Sequence, residues 1–189
     1  GFFLQDAGYY IPIGKTIDTK LLFDIYSRGS WSVKNVINYK KRYKYSGSFN
    51  ISQTIRKNGF KELPSYTKSK DFFIRWDHRN DSKARPNTSF SANLNFGSNS
   101  NFRNNINTSQ SDYLSNTFSS GIQWSKSWSG KPRTLSVRGG HTQNTLSGIV
   151  NVTLPSLSFS SNSNLSILNK EALTKKKWYD KIRYSYSIN

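Results

Sequence analysis

The side chains able to do acid–base or nucleophilic chemistry are sparse in this chain of 189 residues. Its two histidines, His78 and His141, fall on separate stretches, and there is no cysteine. The lack of thiols excludes cysteine nucleophiles, thiolate metal centres and disulfide frameworks. His78 follows Asp77, and such a neighbour pair reads as hydrogen bonding on a surface or in a water-filled lumen rather than as a general base. No Ser-His-Asp spacing, His-Glu zinc motif or glycine-rich phosphate loop is present. The residues point away from an enzyme and imply no metal and no cofactor.

What the chain has in excess is positive charge, with 28 Lys and Arg against 10 Asp and Glu and a net +18. That balance concentrates anions, without choosing among nucleic acid, anionic lipid and phosphorylated glycan. Lys175, Lys176 and Lys177 beside Trp178 resemble a nucleic-acid patch, but a solvated loop or a contact with anionic headgroups is the preferred reading. No nucleic-acid partner is expected.

The elements that must position these charges alternate. Within residues 45–55, Tyr45, Gly47, Phe49, Ile51 and Ile55 share one parity, and Ser46, Ser48, Asn50, Ser52 and Thr54 share the other. Side chains of period two place the first set on one face of a strand and the second set on the other. About ten such strands follow one another. Ile17, Thr19, Leu21, Phe23 and Ile25 oppose Asp18, Lys20 and Asp24; Trp31, Val33, Ile37 and Tyr39 mark the third; Phe72, Ile74 and Trp76 oppose Asp71, Arg75 and Asp77. Phe90 to Phe96, then Phe118, Ile122 and Trp124, then Leu135 and Val137 continue the series. The run over residues 149–160 slips phase at Leu154 and Pro155, which predicts a bulge. Residues 2–13 are the least regular strand, residues 98–111 form a Ser/Asn loop, and residues 178–189 end the pattern.

Ser and Asn together exceed a quarter of the chain and aromatics make up 15%, a poor recipe for a soluble core. No run of about 18 apolar residues could span a bilayer as a helix. The expected fold class is all-β, an antiparallel transmembrane β-barrel with apolar side chains facing lipid and polar ones facing water. Lys20, Lys34, Arg75, Arg138 and Arg183 then point into the lumen, where arginine can grip phosphate bidentately. Singly, each reads as hydrating the lumen and pairing with Asp18, Asp24, Asp71 or Asp77; as a set they read as an anion-contacting surface. Trp31, Trp76, Trp124, Trp128 and Trp178 fit interfacial girdles. The connections near residues 57–69 and 98–115 share a side with short turns at 28–30 and 145–147, against the usual segregation of short and long loops. A soluble basic β-sandwich that binds polyanions, with the same aromatics as its core, is the alternative architecture.

The N-terminal run GFFLQDAGYYIPIGKTIDTKLLFDIYSRGSWSVKNVINYKKRYKYSGSFNIS resembles the opening barrel strands of the LptD family of lipopolysaccharide-assembly proteins. The features that carry the resemblance are the pair Tyr9 and Tyr10, nearby Pro12, the alternating strand over residues 17–26, the Arg-Gly turn at residues 27–30, and Arg42 with Tyr43. KSKDFFIRWDHRNDSKARPNTSFSANLNFGS and VNVTLPSLSFS also look like that barrel. The resemblance implies residues 1–189 are the first strands of a partial barrel, with the preceding periplasmic jellyroll, the family's cysteines and the closing strands absent. It implies the cell outer membrane of a Gram-negative bacterium. It implies export of lipopolysaccharide, acyl chains leaving through a lateral gate at Tyr9, Tyr10 and Pro12 and sugars crossing the lumen past Lys20, Lys34, Arg75, Arg138 and Arg183. The partners it implies are lipopolysaccharide, an LptE-like plug lipoprotein, periplasmic Lpt bridge proteins and membrane lipids. Proline has no backbone donor, so a seam that it borders opens more easily; the bland reading is a proline on an ordinary edge strand. Another outer-membrane porin or transporter would lack such a seam.

Overall fold

The computed structural model describes residues 1–98, 117–164 and 183–188. They form ten strands: β1 (Phe3–Ile13), β2 (Ile17–Tyr26), β3 (Trp31–Lys41), β4 (Tyr45–Asn58), β5 (Thr67–Asn80), β6 (Thr88–Gly97), β7 (Thr117–Trp128), β8 (Lys131–Asn144), β9 (Val150–Asn164) and β10 (Arg183–Ile188). All ten belong to one antiparallel sheet in chain order, β1 to β10, a meander with no crossover. Among the described residues β1 is hydrogen-bonded only to β2 and β10 only to β9, so the described sheet is open.

The period-two pattern sets the register. Ile37 pairs with Phe49 and Phe49 with Trp76, while one residue along Asn38 pairs with Ser48 and Ser48 with Asp77. A slip of one residue would turn the apolar side chains to the polar side of the sheet. The apolar face stays open: Tyr9 is 73%, Ile13 55%, Val152 67% and Leu157 54% exposed. The buried hydrophobic residues are Ala92 and Phe118 alone among those described, whereas Asp24, Ser32, Thr54 and Asp71 are all buried. This distribution is the reverse of a soluble core, in which apolar groups go inside and carboxylates mostly stay out. The described strands make no second sheet, so the sandwich alternative fails. The strands also have the right reach. β1 to β8 have ten to fourteen residues each, and at about 3.3 Å per residue, tilted by about 40°, they cross an apolar band of roughly 25 Å or more.

Two irregularities matter. Gln5 and Asp6 face the single residue Asp24 in the β1–β2 ladder, a bulge that accounts for the weak pattern of residues 2–13. Leu154 and Pro155 face Gly139 between the pairs Arg138–Ser156 and Gly140–Thr153, the bend expected from the phase slip. The turns at residues 27–30, 59–66 and 145–149 lie on one rim with the start of β1. Those at 14–16, 42–44, 81–87 and 129–130 lie on the other. This is the sidedness the strand count implied.

Candidate functional site

Among the described residues no strand pairs with the outer edge of β1, and the sequence of that strand weakens the edge. The Lys40 N–H donates to the Thr16 carbonyl at 2.8 Å, so Thr16 and, two residues on, Asp18 turn their backbone groups toward β3. Pro12 lies opposite Asp18. Because hydrogen-bonding direction alternates along an antiparallel strand, the Pro12 nitrogen faces away from β2, toward the free edge. The β1–β2 ladder loses no bond to this proline; the unpaired edge loses a donor. Gly8 and Tyr10 are the neighbouring residues whose N–H groups face the same way.

The side chains named for this edge divide between two faces. Tyr9 pairs with Leu21 on the apolar face, and Tyr10 pairs with Lys20 on the polar one, the Lys20 Nζ lying 6.0 Å from the Tyr10 ring centroid. The other end of β1 is anchored. At the bulge Asp6 has φ +52°, and its N–H donates to Asp24 Oδ1 at 2.8 Å. Lys34 Nζ stands 3.6 Å from Asp24 Oδ2 and 3.9 Å from Asp6 Oδ1. A buried row continues from Asp24 across the polar face through Ser32, hydrogen-bonded to Thr54 at 3.1 Å, to Asp71, which accepts from Ser98 Oγ at 3.0 Å.

Further along the polar face lies a trough of about 750 Å³ lined by Asp77, Arg79, Asn93, Gln123 and Arg138 among others. Gly121 makes room there, since a side chain at that position would meet nothing within 4 Å. Arg75 Nε donates to Asn95 Oδ1 at 2.8 Å, and Asn93 donates to Asp77. Lys20, Arg79 and Arg138 make no ion pair among the described residues. The polar face therefore offers cations with unspent charge beside neutral amide donors, a lining that can hydrate and hold phosphate or sugar oxygens.

Several expectations change. Lys34 is spent on Asp24 and Asp6, not free for a ligand. Asp18 and Asp77 accept from neutral donors, Asn38 at 3.0 Å and Asn93, and Asp71 accepts from Ser98 Oγ. His78 does not pair with Asp77, because neighbours on a strand point to opposite faces. It lies on the apolar face, where Tyr39 Oη is 2.8 Å from its Nδ1, Trp76 Nε1 donates to the same Oη at 2.8 Å, and Asn80 Oδ1 is 3.0 Å from its Nε2. Gly47 permits this cluster, since a Cβ there would overlap the Tyr39 hydroxyl. The Trp76 indole N–H is satisfied by the Tyr39 hydroxyl, and its ring lies on the apolar face. Trp124 pairs with Phe90 on the same face, Trp31 stands near the opposite rim opposite Ile25, and Trp128 ends β7 with Lys126 Nζ 5.4 Å from its ring. Phe118 is not lipid-facing: it is 2% exposed and packs at 5.4 Å on Phe73, where the Ser120 hydroxyl bonds to the Asn95 backbone in place of a regular ladder. Arg183 opens β10 opposite Asn164, with its side chain outside the description; Trp178, Lys175, Lys176 and Lys177 lie outside the described residues.

An antiparallel meander with an exposed apolar face, a polar face holding buried carboxylates and rims carrying Trp and Tyr is the wall of an outer-membrane β-barrel. Among the described residues no helix is long and apolar enough to cross a membrane. Residues 1–189 match the family model described as LptD protein, and the chain belongs to that family of outer-membrane lipopolysaccharide-transport proteins. No curated protein and no solved structure matches it.

Proposed function

We propose that this chain is the opening part of a lipopolysaccharide translocon in a Gram-negative outer membrane, with β1 as one lip of a lateral gate. The observation that carries this reading is the free edge of β1, on which Pro12 withholds a donor while the bulge at Gln5 and Asp6 tethers the far end of the strand. A closing strand facing this edge would be held by fewer hydrogen bonds near Pro12 than near Gly8 and Tyr10, so the seam would part first at the rim of the turn at residues 14–16. Acyl chains would leave there past Tyr9 and Ile11, and sugars and phosphates would pass Lys20, Arg75, Arg138 and Arg183 on the polar side.

A periplasmic jellyroll ahead of the barrel would place the start of β1 at the periplasm and the rim of residues 14–16, 42–44 and 81–87 outside. An LptE-like plug in the lumen and Lpt bridge proteins delivering the lipid complete the reading. Photo-crosslinkers at residues 9–13 of the full-length protein in cells should capture lipopolysaccharide, with none at lipid-facing Ile51 or Ile74. Equal capture at all these sites would favour a porin-like or other transport barrel that merely sits among lipopolysaccharide molecules.

A further inference from the structure

The outer rim carries cations that neither the seam nor the lumen uses. The β3–β4 and β5–β6 turns are fastened together: the Asp81 N–H donates to the Lys44 carbonyl at 2.9 Å, and Asp81 Oδ1 accepts the Lys83 N–H at 2.8 Å. The joined turns present Lys40, Lys41, Arg42, Lys44, Lys83 and Arg85, with Asp81 the sole carboxylate over residues 40–44 and 81–87. None of these cations makes an ion pair among the described residues.

Tyr43 sits at the centre with φ +60°, the third residue of a tight turn closed by Lys44 N–H to the Lys41 carbonyl at 2.9 Å. That position normally takes Gly or Asn, and a backbone outlier at an aromatic residue points to a local use. Its ring gathers charge: Arg42 Cζ lies 4.7 Å and Lys83 Nζ 5.2 Å from the centroid. Like charges drawn to one ring lower their mutual repulsion when an anion joins them. A cleft of about 490 Å³ lies beside the ring, lined by Lys41, Arg42, Arg79, Asn80, Asp81 and Ser82 among others, cations outnumbering the one carboxylate. Toward the membrane from this cleft, Tyr45, Tyr39 and His78 stack on the apolar face with centroids 5.7 to 6.1 Å apart. Cations at headgroup height above an aromatic shelf suit a lipid phosphate rather than a free one.

We propose that the joined turns form a docking platform for the phosphorylated headgroup of an outer-leaflet glycolipid, an inference that rests on the orientation given under Proposed function. Native mass spectrometry of the full-length protein tests it, with bisphosphorylated lipid A and the same lipid after enzymatic removal of both phosphates as probes. The wild type should retain the phosphorylated lipid on the order of tenfold more, Arg42→Ala with Lys83→Ala should remove most of that excess, and Arg28→Ala with Lys57→Ala on the other rim should leave it. Equal retention of the two lipids, or equal loss in both double variants, would overturn the platform. A photo-crosslinker at Ser82, which asks nothing of folding, should capture the phosphorylated lipid; no adduct there would overturn it as well. Adducts at residues 9–13 without phosphate dependence at the rim would remove this platform while leaving the export reading in place.

Discussion

Asp24 and Lys34 are held 3.6 Å apart on the polar face, and the same carboxylate accepts the backbone N–H of Asp6 from the bulge of the edge strand. Side-chain exposure is 4% for Asp24 and 22% for Lys34, so water screens the pair only in part. The pair therefore links β3, β2 and an irregular point of β1 in one small network. The backbone ladder is locally interrupted at the bulge, where the Gln5 amide also donates to Tyr26 Oη at 3.0 Å.

Asp24→Ala is expected to destabilise the barrel by about 1–3 kcal/mol, the cost of leaving a partly buried donor and a partly buried cation without their acceptor. Asp24→Asn keeps an oxygen for the Asp6 N–H and should cost less than the alanine variant. Lys34→Met leaves the buried carboxylate without its cation, and should fall at least as far as Asp24→Ala. Thermal unfolding of the full-length protein, followed by heat-modifiable gel migration, orders the three; an unchanged midpoint for Lys34→Met would show the network to be slack.

Glycines in this sheet separate into two kinds. A Cβ at Gly8 would overlap the Leu21 carbonyl oxygen and crowd the Leu21 carbon and the Leu22 Cα, whereas one at Gly121 would meet nothing within 4 Å. Backbone cannot yield as a side-chain tip can, so Gly8→Ala should force β1 away from β2. Gly121→Ala should be neutral or stabilise by about 0.4–1 kcal/mol, through the unfolded chain. Limited proteolysis between residues 13 and 17 and loss of export should mark Gly8→Ala alone.

How far the sequence reveals this arrangement depends on which physical signal each feature leaves. Alternation of apolar and polar residues made the strands, their number and their faces legible, because burial in lipid acts on every second side chain. The bulge at Leu154 and Pro155 was legible for the same reason, as a change of phase. The anchor at Asp6 was not: an acidic residue in a poorly patterned stretch carries no sign that a φ of +52° will aim its N–H at Asp24. The partners of Asp18 and Asp77 were also hidden, since Asn donors from neighbouring strands stand where charge counting suggests cations. Parity could have separated His78 from Asp77, and the spacing of Tyr39, Gly47 and His78 is intelligible only once the register is known.

The aromatic shelf on the apolar face depends on one hydroxyl. Tyr39 Oη accepts from Trp76 Nε1 and bonds His78 Nδ1, both at 2.8 Å. Tyr39→Phe keeps the ring and strands an indole N–H near the lipid, so a loss of about 1–2 kcal/mol is expected. Gly47→Ala should cost more, as the added methyl would displace the Tyr39 ring itself. Unfolding midpoints of both variants in the same lipid decide the order, and a Tyr39→Phe midpoint equal to wild type would mean that water already serves the indole.

Pro12 gives the most direct test of the seam. Replacing it with valine returns an N–H to the free edge and supplies a β-branched side chain that suits a strand. One added hydrogen bond to a facing strand is worth about 0.5–1.5 kcal/mol, which corresponds to roughly a two- to twelvefold shift toward a closed seam. Lipopolysaccharide adducts at residues 9–13 should fall by that order in Pro12→Val, with barrel stability unchanged or raised. Because the donor faces away from β2, the β1–β2 pairing should be untouched, and a cysteine pair at Ile11 and Thr19 should oxidise as readily as in the parent. Adduct yields that stay level while that pairing holds would mean that the edge of β1 does not limit the release of lipid.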